Sequence, residues 1–520
     1  MSKRVCVIGA GMSGLCTIKE LLEQGHQVTC YEANSDLGGA FTIAYDSLLL
    51  TVSNYFMAYS AFPPPLEEER RYWNKSEYLS YLDRYSQAFD LLPHIRFSHR
   101  VMRVEPKDSG FQVGFKSAHE SASAFFDAIA VCSGSHNTPK IPKFKGLETF
   151  TGEIQHSMFY KNADAFAGKR VVCIGGGESG AEITHEISNV AKSCTLSIRK
   201  YPSMVQRFVG QHTGDALTAN AFYAMGKDGL NAFMHSKAAW HLKQGLDLAP
   251  EQLVYFEWVT KCDGFLDQFL VKNDAYMRDI AEGHLAFNVG GIERLEDRRV
   301  IFRDGSVVEA DVLMCNTGYC KELDFLAPWF QLSNARDLFK HSIHPDWGER
   351  LAFIGLARAT QGGVPACSEM QARYWALLLA GKRQLPLRAQ LQTLIEQDRN
   401  WEERFFSKSP EIKSLVSYPT YMRAYAELIG CQPHWWTHLD LGLWHKLWFG
   451  SHIPQFYRLR GPGAMKDEAV KVIKCLPIAF GWQRILIMLF YTLFFRVKSI
   501  SNWLKFFLER KISGIEEIRT

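Results

Sequence analysis

The sequence predicts an α/β fold built on two dinucleotide-binding units, and three observations carry that prediction. Gly9-Ala10-Gly11-Met12-Ser13-Gly14 and Gly175-Gly176-Gly177-Glu178-Ser179-Gly180 each follow a short apolar strand and open a helix. That context turns a Gly-x-Gly-x-x-Gly pattern into a phosphate-binding turn. A second strand follows each helix and ends in a residue suited to a ribose: Glu32, 18 residues after Gly14, and Arg199, 19 residues after Gly180. The length of 520 residues accommodates roughly three units, so both nucleotide units and a further region fit.

Composition narrows the class. Apolar residues at 47% and charged residues at 22% exclude a disordered chain and a multi-span membrane protein. The net charge of +4 is small and Lys and Arg are not clustered in the body of the chain, so nucleic acid is not an expected partner. Twelve cysteines are scattered, several in apparent buried strands, which is reduced, cytosol-facing usage and not a disulfide framework. The first strand begins almost at once after Met1, so no cleaved secretory leader is expected. His212, His235 and His241 lack metal-ligand spacing, and no metal is expected.

Lys3–Ile8 reads as the first strand, Leu15, Ile18, Leu21 and Leu22 recur at helical spacing, and Val28–Tyr31 is the next strand. The glycines let the backbone approach a pyrophosphate, the helix N-terminus faces its charge, and Glu32 suits the unphosphorylated ribose of FAD or NAD. Gly38-Gly39, leading into Ala40 and Phe41, forms a second glycine turn close behind. Leu48–Pro65, which holds Ser53 and Asn54, lacks periodicity and ends in three prolines, so it is expected to be a loop; by composition Asn54 is a turn-former. Tyr72–Leu91 reads as a helix, and short strands follow to Val131-Cys132-Ser133-Gly134.

In the second unit the helix continues through Ala181 and Glu182, and the next strand ends in Arg199-Lys200. A guanidinium pairs with a 2′-phosphate that a carboxylate would repel, so the expected second nucleotide is NADPH; a solvated basic pair at a strand end is the alternative. Tyr201–Phe287 is rich in aromatics and is a candidate wall for a substrate channel. Asp311–Tyr319 is a strand running to Gly318, and the spacing of Cys315 and the following Cys320 is incidental. Leu351–Gly355 is a last strand, after which Gln361-Gly362-Gly363-Val364-Pro365 leads into a helix carrying Glu369, Gln371 and Arg373. Ile485–Phe495 is an apolar run of 11 residues, too short to span a bilayer, and the basic, Trp503-bearing segment Arg496–Lys511 follows it. An interfacial anchor is the expectation, with a buried helix pair or a dimer contact as the alternative.

Phe150, Gly152, His156 and Tyr160, placed just ahead of the second glycine turn, resemble the identifying sequence of flavin-containing monooxygenases. The strand ending in Asn316-Thr317-Gly318 resembles that family's Ala-Thr-Gly strand with asparagine in place of alanine, and Phe449-Gly450 and Phe456–Gly463 also look like the family. The resemblance covers nearly the whole chain. It implies two Rossmann-like domains, the NADP domain inserted in the FAD domain, plus a helical C-terminal region. The implied boundaries are residues 1–160 for the first part of the FAD domain and 161–318 for the NADP domain with an inserted helical and aromatic segment. Residues 319–430 form the second part of the FAD domain, and 431–520 the C-terminal region.

By the same resemblance the cofactors are FAD and NADPH. Gly9 to Gly14, Glu32, Gly39 to Phe41, Ser53 and Asn54 are candidate FAD contacts. Gly175, Gly177, Ser179 to Glu182 and Arg199 are candidate NADPH contacts, and Gly318 is a further candidate cofactor contact. Asn54 is the candidate catalytic residue, over the flavin ring, and the helix after Gly363 aims its positive N-terminal dipole at the flavin. The implied reaction is reduction of FAD by NADPH, uptake of oxygen as a C4a-hydroperoxide, and attack on it by a soft nitrogen or sulfur of a small molecule. An amine or sulfide and O2 are the implied partners, with homo-oligomerisation open. The expected location is cytosol-facing with peripheral or monotopic membrane association, at the endoplasmic reticulum in a eukaryote. A Baeyer–Villiger monooxygenase, a biosynthetic N-hydroxylase and a redox-inactive flavoprotein scaffold are the rivals; Phe159-Tyr160 stands where the first of these carries tryptophan.

Overall fold

The computed structural model describes residues 2–494 apart from Leu246, Pro328, residues 435–439 and 480–485, Ile487 and Tyr491. Arg4–Ile8 is the central strand of a five-stranded parallel sheet ordered Leu351–Phe353, Ala128–Val131, Arg4–Ile8, Gln27–Tyr31, Ile95–Arg96. Val5, Cys6 and Val7 are fully buried, as a parallel sheet covered on both faces requires. A second five-stranded parallel sheet runs in the order Leu285–Val289, Ser193–Ile198, Arg170–Ile174, Val312–Cys315, Glu153–His156.

The first sheet is left at Val131 and rejoined at Leu351, so the second unit is inserted in the first. Glu153–His156 pairs with Val312–Cys315, and the second sheet therefore starts before residue 161, where the sequence places the boundary. The expected helix from Tyr72 is shorter, Lys75–Ala88. Asn74 fixes its start by accepting from the Glu77 N–H at 3.0 Å while the Glu77 carboxylate accepts from the Asn74 N–H at 2.8 Å, a reciprocal capping box.

Between Ile198 and Leu285 the inserted segment folds into the helices Gly226–Gln244 and Pro250–Lys261, which stand over the second sheet. Beyond the first sheet come Val364–Leu379, Arg388–Phe405 and Tyr418–Ile429, and then, in the C-terminal region, Leu441–Phe449 and Lys466–Cys475. Among the described residues no helix is long and apolar enough to cross a membrane. Residues 480–485 and 495–520, and with them the whole basic segment Arg496–Lys511, lie outside the described residues. Of the apolar run, Met488 is buried against Ala219, Phe265 and Leu270, whereas Leu486, Leu489 and Leu493 are exposed. All twelve cysteines are free, and all but Cys320 and Cys475 are buried.

Candidate active site

Both glycine turns are sterically obligatory. A Cβ on Gly14 would lie 1.9 Å from the Gly9 carbonyl oxygen, and one on Gly180 would lie 2.2 Å from that of Gly175. Gly9 and Gly175 share a φ of 101°, which L-residues avoid. The helices that follow, Met12–Glu23 and Glu178–Ser188, begin at Gly11 and Gly177 with no side-chain cap. Their first-turn N–H groups are therefore left to an anionic ligand, as a dinucleotide pyrophosphate supplies. Glu32 is buried and aimed by two backbone donors, Ala10 N at 2.6 Å and Asn34 N at 2.8 Å. Gly39 abuts the first turn: its Cβ would fall 3.2 Å from the Gly11 Cα. Ala40 and Phe41 complete that short turn, with Phe41 packed edge-on against Tyr78 at 4.6 Å. Ser13 reaches Ser368 on the helix Val364–Leu379 at 2.9 Å, joining the first turn to the helix that packs against Met12–Glu23.

In the second unit Ala181 is buried under the turn, and the Glu182 carboxylate takes Asn273 Nδ2 at 2.9 Å and the Arg207 guanidinium, so it ties the helix to the 207 and 273 loops. Arg199 stands 81% exposed at the end of its strand and makes one ion pair, with Glu411 at 3.5 Å. Asn316 lies against the same turn: a Cβ on Gly180 would approach the Asn316 Cβ to 3.2 Å, and both polar atoms of the Asn316 amide are buried with no protein partner. A bound nucleotide suits such an orphaned amide, so the residues present fit the group.

The resemblance-bearing residues ahead of this turn are structural. His156 is buried; its Nε2 donates to the Gly318 carbonyl at 2.9 Å and its Nδ1 accepts from Met158 N at 3.1 Å. Burial lowers its pKa, which keeps the ring neutral for those two roles. Gly152 has no room for a side chain between the Phe150 ring and the Asp311 carbonyl, and Tyr160 donates to Glu186.

Asn54 is fully buried and starts a single helical turn, Asn54–Met57, inside the expected loop. Its Nδ2 donates to Glu69 O at 3.0 Å and Glu68 at 3.3 Å, and its Oδ1 accepts from Tyr55 N at 3.0 Å and Arg71 N at 3.3 Å. Both donors and both acceptor positions are thus engaged within the protein. Next to it, Ser53 N donates to Asp215 at 2.5 Å, and Arg70 closes an ion pair with that carboxylate at 2.9 Å. The N-terminus of the helix Val364–Leu379 meets this turn: a Cβ on Gly363 would lie 2.2 Å from the Phe56 carbonyl oxygen.

A cavity of about 650 Å³ opens at this meeting point. Thr51, Gln361 and Gly362 line it from the first unit, Lys272 and Tyr255 from the second, and Phe233, Lys237 and Trp240 from the inserted helix. The aromatic segment after Tyr201 is therefore the cavity wall, as its composition suggests. Lys272 is 8% exposed and pairs with Glu178 at 2.5 Å, and Arg358 reaches the other Glu178 oxygen at 3.8 Å. Burial alone would raise the Glu178 pKa, but the two cations outweigh it and hold the carboxylate ionised. No group of three or more metal-ligating side chains exists among the described residues.

The family model for flavin-binding monooxygenase-like proteins matches residues 2–498. The chain belongs to that family. This flavin-binding monooxygenase-like protein uses FAD and NADPH, and its fold is that of the two-domain flavin monooxygenases. It is 38% identical to a 4-hydroxybenzoate brominase (decarboxylating) of Marinomonas mediterranea, over 94% of this chain and 95% of the relative. It is 30% identical to flavin-containing monooxygenase 5 of Oryctolagus cuniculus, over 91% of each. The S-allyl-L-cysteine S-oxygenase of Allium sativum superposes with a TM-score of 0.61 at 20% identity, over 83% of this chain and 89% of that one.

Sequence reasoning missed Lys272, Asp215 and Arg70. They sit in aromatic or irregular stretches without a motif, and only the closure of the two units brings Lys272 and Asp215 to one cavity, with Arg70 paired to Asp215. Glu178 was visible inside the second turn, yet nothing in its spacing announces Lys272, 94 residues away.

Proposed function

We propose that this flavin-binding monooxygenase-like protein uses NADPH and O2 to oxidise a soft nucleophilic nitrogen or sulfur of a small molecule held in the cavity. The observation that carries this reading is the position of the cavity. It is walled at once by Gln361 and Gly362 at the start of the helix Val364–Leu379, by Thr51 beside the Asn54 turn, and by Lys272 beside the second glycine turn. A substrate there lies beside the second nucleotide-binding turn and the start of that helix. When bound, FAD supplies the redox chemistry: it takes a hydride from NADPH and activates O2. The residues of the chain bind and orient. Gly9 to Gly14 hold the FAD pyrophosphate, Glu32 its ribose, and Gly39 to Phe41 cross it. Gly175 to Gly180 and Arg199 hold NADPH, and Asn316 donates to and accepts from that nucleotide. The helix dipole after Gly363 would face the flavin ring and favour its anionic reduced form, while Ser53 and Asn54 hold the turn that flanks it. The aromatic wall excludes water, which protects the activated oxygen until substrate arrives.

A second reading makes a halide the nucleophile, with the oxidised halide then modifying a phenol. The brominases of Marinomonas mediterranea and Pseudoalteromonas luteoviolacea, 38% and 37% identical along nearly the full length, favour it. The test is to incubate the FAD-loaded protein with NADPH and O2, following NADPH loss, peroxide and product mass. An amine and sulfide panel is run without halide, and 4-hydroxybenzoate with bromide. Oxygenated amine or sulfide supports the first reading, and brominated phenol without it supports the second. NADPH loss recovered entirely as peroxide in every mixture would refute both.

A further inference from the structure

We infer that the cavity selects an aromatic substrate carrying a negative charge, anchored on the Lys272 ammonium, and discriminates against the protonated amines that a neutral aromatic pocket would admit. This rests on the cavity being the substrate site proposed above and adds the substrate's charge class. Among the described lining residues the formal charges are Lys237 and Lys272 against Asp215. Asp215 is already neutralised: besides the Arg70 ion pair and the Ser53 N–H, it accepts from the Thr213 hydroxyl at 2.6 Å. A cationic substrate would have to compete with a guanidinium, a backbone N–H and a hydroxyl for that one carboxylate.

Lys272 differs in kind. Its ammonium is nine-tenths buried on the cavity wall, and its anionic partner, Glu178, is shared with Arg358. One carboxylate against two cations leaves a net positive charge at the end of the cavity that Gln361 and Gly362 also line. In a water-poor pocket such a charge attracts a complementary ligand group far more than it would at the surface. The rest of the wall specifies the body of that ligand. Tyr72, Phe222, Tyr223, Phe233, Trp240 and Tyr255 present ring faces and edges around a volume that suits one or two aromatic rings.

The experiment is a binding titration of the FAD-loaded, full-length protein, without NADPH, against three ligands of equal size: benzoate, benzamide and benzylamine. Binding is read from the flavin absorbance perturbation and from quenching of tryptophan fluorescence, since Trp240 lines the cavity. Benzoate is expected to bind at least tenfold more tightly than benzamide, with benzylamine weakest. Lys272→Met is expected to remove that preference while benzamide binding changes less than twofold, and Lys272→Arg is expected to retain it. Lys237→Gln, on a helix flanked by solvent, should weaken benzoate alone by a smaller factor.

Equal affinities for the three ligands, or benzylamine binding most tightly, would overturn the inference. So would a Lys272→Met protein that loses all three alike. The ligand series on the unaltered protein decides the matter even if Lys272→Met fails to fold. Because no turnover is involved, an anion preference without any oxidised product refutes the monooxygenase reading and not this one. Amine-selective binding with normal product refutes this one alone.

Discussion

Arg458 holds the C-terminal region onto the flavin unit, and replacing it by Met tests how. The side chain is 1% exposed and donates to Glu20 at 3.1 Å, Glu369 at 2.8 Å, the Ser60 hydroxyl at 2.6 Å and the Gly463 carbonyl at 2.8 Å. Met fills much of the volume and removes every one of those bonds. Glu20 keeps Lys19 at 3.0 Å, but Glu369 is left with the Ser60 N–H at 2.8 Å as its nearest donor. Breaking a buried pair so that a carboxylate is stranded costs about 3–5 kcal/mol. At ~2 °C per kcal/mol, suited to a large domain, the melting temperature should fall by roughly 6–10 °C.

The pH dependence has a definite sign. Burial would raise the Glu369 pKa, but Arg458 and Arg373 outweigh it and the net shift is downward. A depressed carboxylate contributes stability that is present above its unfolded pKa and lost as pH falls through the folded value. Without Arg458 that shift reverses, so proton uptake relieves the variant first and its deficit should narrow between about pH 7 and pH 5. Thermal melts followed by flavin fluorescence at both pH values measure this. A loss under ~1 kcal/mol, or a deficit unchanged at the lower pH, would refute the reasoning.

Arg199→Ala should weaken NADPH about tenfold and leave NADH within twofold, the low end for a charged contact because the side chain is exposed; equal losses for both coenzymes sink the assignment. Asn316→Ala should leave thermal stability without nucleotide unchanged or slightly higher, since it removes unpaired buried atoms, yet raise the NADP+ dissociation constant several-fold in a fluorescence titration. Asn54→Asp replaces the two donated bonds to Glu68 and Glu69 by a charge beside Glu68. It should retain FAD and its reduction by NADPH while product formation falls and peroxide rises in a stopped-flow and product assay. Normal product yield would make Asn54 a turn residue only. For the apolar run and the basic segment after it, the expected outcome is that full-length protein co-sediments with anionic vesicles and protein ending at Gly481 does not; a full-length protein that stays in the supernatant refutes the anchor.

The two glycine turns, their strands and the Glu32 and Arg199 termini were legible because each is a local rule: backbone approach, helix start and charge at a fixed spacing. The same locality explains what was not. The apolar spacing of Tyr72–Leu91 runs ahead of the true helix start, which Asn74 and Glu77 set through hydrogen bonds. His156 and Gly152 could be recognised as a pattern, but their work, pinning Gly318 and fitting beneath Asp311, depends on the parallel pairing of distant strands. Lys272, Arg358 and Glu178 carry no mutual spacing at all. Their meeting is a product of tertiary closure, and closure is also what turns the featureless aromatic stretch after Tyr201 into a wall.

Met488 belongs to the run that the sequence marks for a bilayer surface, yet its side chain completes the cavity wall beside Leu270. Trimming the tail to improve handling would therefore breach the cavity in which we propose the substrate binds. A shortened protein would be expected to leak reducing power to peroxide and to accept bulkier molecules. Selectivity measured on it would describe an open vessel, and the native preference is accessible only with the chain intact through that residue.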